Sequence, residues 1–129
     1  MTYDLLLTVF NSVTPAHERN DHFWIQGKLR TLGLLFQLKA ILKPKEKITL
    51  NDLERLLMDE PFYLTAYQQA HQYITARYEA EELDRAEFQT QLTNLNKRCN
   101  AWINEPLAIK EAMKVAIKPI FDAIRRIFH

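Results

Sequence analysis

Apolar positions recur at helical spacing along nearly the whole chain. Leu6, Val9, Phe10 and Val13 follow the i, i+3, i+4, i+7 pattern of one helix face. Pro15 closes that segment, because the residue before a proline is pushed out of helical backbone. Residues 16–21 are polar and read as a loop, with Asp21 placed to cap the next helix through a side-chain bond to a free N–H. That next helix, about residues 21–42, is the most apolar of the chain. Leu29, Leu32 and Phe36 share one face, while Trp24, Leu35, Leu38 and Leu42 lie on another. Apolar groups on two sides predict a helix packed between neighbours. Gly27 and Gly33 lie inside it, each costing about 1 kcal/mol relative to alanine. They point to close helix packing at those positions rather than to a hinge.

Helix starts recur after residue 43. Lys43-Pro44-Lys45-Glu46-Lys47 is a connector, and Thr49 with Asp52 resembles a capping box opening a short helix that carries Leu53, Leu56 and Leu57. Asp59-Glu60-Pro61 combines a cap, an acid at the positive helix end and a proline in the first turn. The helix that follows carries Tyr63, Tyr67, Ala70, Ile74 and Tyr78 along one side, to about Ala80. Asp84 with Glu87 marks another capping box, which predicts a break near Leu83, with one long helix as the alternative. Beyond it Phe88, Leu92, Leu95, Cys99 and Trp102 form one stripe. Asn104-Glu105-Pro106 repeats the cap-acid-proline pattern 45 residues after the first. Coincident capping chemistry explains this better than a true repeat, since little else aligns. The last helix carries Ile109, Met113, Ala116, Ile117, Ile120, Ile124 and Ile127, and Pro119 inside it predicts a kink or interruption. No segment alternates at period two. The predicted fold is all-α: one domain over residues 1–129, with five or six helices in a bundle or irregular array.

Composition narrows the classes. A chain of 129 residues with 47% hydrophobic and 26% charged side chains suits one folded domain and excludes a disordered tail. One cysteine excludes an intramolecular disulfide and a cysteine-based zinc cluster. The start carries Asp4 and a broken apolar run, unlike a secretory signal, and no apolar stretch reaches the ~20 residues of a spanning helix. A cytoplasmic protein with a reduced Cys99 is expected.

Catalytic chemistry finds no constellation. His17 and His22 stand five apart in a loop, whereas a zinc-protease helix needs two histidines one turn apart. Tyr67 and His71 lie one turn apart and could pass a proton, although a boundary histidine beside a core tyrosine explains them more simply. Cys99 reads as a small buried apolar group, since Lys97 and Arg98 point off its stripe. No phosphate loop or nucleophile elbow is present. No catalytic residue, metal ligand or cofactor site is therefore assigned.

Charge placement says more than net charge. The formal total is +1, but residues 23–48 sum to +5, residues 49–105 to −5 and residues 106–129 to +3. Lys110, Lys114 and Lys118 form an i, i+4 row on the last helix, followed by Arg125 and Arg126. By contrast, Gln68, Gln69 and Gln72, and then Gln89, Thr90, Gln91, Thr93, Asn94, Asn96 and Asn100, crowd polar helix faces that hold few charges. Interface centres are depleted in charge in the same way.

The expected function is a non-catalytic interaction module, an adaptor, accessory subunit or inhibitor, that binds a protein partner. Its expected contact residues are Lys43, Lys45, Lys47, Lys110, Lys114, Lys118, Arg125 and Arg126. The alternative is a nucleic-acid-binding regulator using the 39–47 connector and the C-terminal basic helix. In that case the helix after Pro61 would read bases with Thr65, Gln68, Gln69 and Gln72, although Asp59 and Glu60 at its start oppose phosphate contact. A membrane surface is disfavoured, because the isoleucine stripe of the last helix is needed for the core. The stripe ending at Trp102 would serve a monomer core or a homodimer seam equally well. An enzyme is the remote third class.

Overall fold

A computed structural model describes Asp4, Leu7 and Thr8, residues 22–42 and residues 48–128. Residues 22–42 and 48–128 hold five helices, α1 (His22–Leu42), α2 (Leu50–Met58), α3 (Glu60–Glu79), α4 (Arg85–Ile103) and α5 (Leu107–Phe128), and Asp4, Leu7 and Thr8 are also helical. Among the described residues there is no strand, and the chain is all-α as its periodicity requires. The expected helix face at Leu6, Val9, Phe10 and Val13, the cap at Asp21 and the loop residue His17 lie outside the described residues, and so do Lys43, Lys45 and Lys47. His22, expected in the same loop as His17, is instead the first residue of α1.

The caps form largely as their residue types dictate. Thr49 holds extended backbone at the start of α2, and its Oγ1 accepts from the Asp52 N–H at 3.3 Å. Asp59 Oδ1 accepts from the Phe62 N–H at 3.1 Å at the start of α3. Asp84 and Glu87 make a reciprocal capping box, so α3 and α4 are separate helices rather than one. Between them Glu81 takes φ of 60°, a left-handed conformation that reverses the chain in a few residues.

Asn104 departs from expectation. It ends α4, its N–H bonding back to the Asn100 carbonyl, and α5 begins only at Leu107. The Pro106 carbonyl accepts from Ile109 and Lys110. Pro61 lies inside its helix whereas Pro106 precedes its own, so the two Asx-Glu-Pro segments are not equivalent. Pro119 does not interrupt α5. The carbonyl its missing N–H would have met belongs to Val115, which is 72% exposed, so water can satisfy it.

Helix α1 is the central element and touches all four others, which explains its two apolar faces. Leu32, Leu35 and Leu38 of α1 are buried with Leu53 and Leu56 of α2, Tyr63 and Ile74 of α3, Leu95 and Cys99 of α4, and Ile117 and Phe121 of α5. Tyr78 was expected on the buried side but is 37% exposed and stacks on Phe88 with ring centroids 4.3 Å apart. Both lie at the turn end of the α3–α4 hairpin, on either side of Glu81. No described helix is long and apolar enough to cross a membrane.

Candidate functional site

The basic row of α5 is divided by its surroundings. Lys110 Nζ lies 3.6 Å from Glu60 Oε1, with 13% of the lysine side chain exposed. Lys114 Nζ lies 3.3 Å from Glu111 Oε1, with 20% exposed. Arg125 pairs with Glu54 of α2 and lies 3.4 Å from Asp122. Lys118 and Arg126 are exposed. Three of the five cations thus close contacts within the chain, two of them between helices. Lys39, in the other basic segment, also turns inward. It is buried, and its Nζ lies 3.3 Å from Asp52.

The uncharged faces behave differently. Residues 62–76 of α3 and 88–96 of α4 contain no Asp, Glu, Lys or Arg. The turn at Glu81 folds these two stretches against each other in antiparallel register. Tyr78 meets Phe88 at one end, and the Tyr67 hydroxyl donates to Asn96 Oδ1 at 2.6 Å further along. Gln68, Gln69, Gln72, Gln89, Thr90, Thr93 and Asn94 are exposed, as are Leu64 and Tyr73. The exposed residues of these stretches are therefore polar but uncharged, with apolar points at Leu64 and Tyr73 on opposite sides of α3. A shallow depression on α3 is lined by Leu64, Tyr67, Gln68, His71 and Gln72. Charges gather at the margins of the two stretches, with Asp59, Glu60, Lys97 and Arg98 at one end and Arg77, Glu79, Glu81, Glu82, Asp84, Arg85 and Glu87 at the other.

The groups read as possible catalysts have ordinary structural partners. Tyr67 points its hydroxyl across to Asn96 instead of to His71. Burial is the main cause pushing the Tyr67 hydroxyl above its ordinary pKa, with Cys99 adding to it. Cys99 is a free, fully buried thiol. Burial pushes it up to about 11, against the lowering effects of Tyr63 and Arg98, so it stays protonated near neutrality. Among the described residues no three His, Cys, Asp or Glu side chains converge as a metal site would require. No protein-family model, curated protein or solved structure matches the chain.

Proposed function

We propose that this chain is a small non-catalytic protein-interaction module, acting as an adaptor, accessory subunit or inhibitor. We further propose that its main contact surface is the uncharged hairpin face of α3 and α4. The observation that carries this is the alignment of two charge-free stretches, with Leu64 exposed among glutamines and threonines. Ordinary solvated helices spend such positions on Glu and Lys. A charge-free face lowers the desolvation cost of association, and its glutamines and asparagines supply hydrogen bonds at low electrostatic cost. Lys118 and Arg126 are exposed and form no ion pair among the described residues, which leaves them to steer an acidic partner. Internal pairing of Lys39, Lys110, Lys114 and Arg125 weighs against nucleic acid as the partner, because phosphate contact needs cations that face outward. A buried reduced thiol at Cys99 suits the cytoplasm.

Affinity capture from native lysate, with and without nuclease, tests the proposal. The wild-type chain is compared with a Gln68→Glu, Thr93→Glu variant that places two charges on exposed positions. The expected result is a stoichiometric protein partner that survives nuclease and is lost by the variant at unchanged melting temperature. Nucleic acid alone, released steeply by salt, or undiminished capture by the variant would overturn it.

A further inference from the structure

Helices α4 and α5 are joined by residues 104–106 alone, yet they diverge, and both rest on α1. A cavity of about 290 Å³ opens where they part. Its apolar lining comes from all three helices: Leu34 of α1, Trp102 of α4, and Ile109 and Met113 of α5. Gly27 completes the floor. A Cβ there would stand 2.8 Å from the Met113 methyl, so the missing side chain gives Met113 its place.

Charge gathers around this opening. Arg30, Lys97 and Arg98 line it and are exposed, against the single acid Glu105 among its described lining residues. Gln37 accepts a hydrogen bond from Arg98, which aims that guanidinium while using only part of its five donors. Arg30 and Lys97 form no ion pair among the described residues. Three cations around an apolar cavity repel one another, and an anion entering between them relieves that repulsion. The volume sits at the lower end of the ~300–1,000 Å³ typical of small-ligand pockets. This favours a small molecule over a protein segment.

We infer that the cavity binds a single-chain amphipathic anion. Its hydrocarbon chain lies against Leu34, Trp102 and Met113, and its carboxylate or phosphate head meets Arg30, Lys97 and Arg98. None of these residues belongs to the uncharged hairpin face, so the site stands or falls independently of the partner-binding surface.

Isothermal titration of the full chain with decanoate, decyl phosphate and decyltrimethylammonium below their micellar concentrations tests the site. Saturable one-to-one binding of at least one anion is expected, with the ammonium compound at least tenfold weaker. The anion that binds more tightly assigns the head group as carboxylate or phosphate. Arg30→Glu combined with Lys97→Glu should weaken binding at least tenfold, and Ala101→Phe, on an exposed lining position, should block it. Circular dichroism should show both variants folded, and the wild-type titration stands alone if either is not. Several outcomes overturn the inference: no saturable binding of either anion, equal binding of the ammonium compound, or undiminished binding by folded Ala101→Phe. Binding only to phosphatidylglycerol vesicles, or only to an acidic amphipathic peptide, would replace the small ligand with a membrane or a protein and overturns it equally.

Discussion

The Tyr63 hydroxyl donates to the backbone carbonyl of Cys99 at 3.2 Å, across thirty-six residues of sequence. Both residues are buried, at 1% and 0% exposure. A buried phenol needs a partner, and a helical carbonyl keeps a second lone pair to offer it. The bond fixes the register of α3 against α4, and so the alignment of the two uncharged stretches. Tyr63→Phe keeps the ring and removes only the hydroxyl. It should lower unfolding free energy by about 0.5–1.5 kcal/mol in urea titration. An unchanged midpoint would mean that ring packing alone sets the register.

The same pair predicts alkaline sensitivity. Burial raises the Cys99 thiol from 9.0 to about 11. Burial, reinforced by Cys99, also raises the Tyr63 hydroxyl from 10.0. Each group holds its proton more tightly folded than unfolded. Its stabilising contribution is therefore complete below the unfolded value and is lost as pH rises through the folded one. Urea midpoints should hold steady to about pH 9 and fall between 9 and 11. Cys99→Ala should reduce that slope, and a flat profile to pH 11 in the wild type would contradict the burial of both groups.

At the acid end the relevant contact is Lys39 with Asp52. Burial tends to raise the Asp52 carboxyl, but hydrogen bonds from Thr49 and Lys39, with the charge of Lys39, together hold it below 3.8. Its stabilisation is present above that value and is lost as pH falls through the lowered one. Asp52→Asn removes the charge and strands a buried lysine, at a cost of about 1–3 kcal/mol near neutral pH. Thermal melts at pH 7 and pH 3 should show the wild-type advantage shrink on acidification. An advantage independent of pH would assign Asp52 a packing role only.

Gly27 offers a substitution whose sign is informative. Alanine gains about 1 kcal/mol of helix propensity. The opposing contact, 2.8 Å to Met113 Cε, involves the free end of a flexible side chain that borders a cavity. Gly27→Ala should therefore stabilise by about 0.5–1 kcal/mol on urea unfolding. It should also weaken decanoate binding, because Met113 turns into the space the ligand needs. A loss of stability would show that Met113 is locked against α1.

Local chemistry was legible wherever a structure rests on partners within a few residues. Thr49, Asp59 and Asp84 cap their helices as expected, because each bond runs from a side chain to a backbone N–H two or three positions on. Asn104 shows the limit of that logic. Its residue type fits a cap, but the last turn of α4 claims it first, and α5 starts three residues later. The stripe through Leu95 and Cys99 was read correctly as core, while Phe88 and Trp102 at its ends are only half-buried. The basic row of α5 was legible as a row. That Lys110 meets Glu60, and Arg125 meets Glu54, was not, because those acids arrive from other helices.

The sequence by itself determined an all-α chain, the extent of its described helices to within a few residues, and two uncharged stretches of helix. These follow from hydrophobic period and capping, which act over roughly one turn. Tertiary structure decided which charges are neutralised inside the molecule. It brought the uncharged stretches of α3 and α4 side by side, and it opened the cavity between α4 and α5. Those features depend on how whole helices are placed on α1. That placement follows from the summed packing of buried side chains far apart in sequence, which no local pattern encodes.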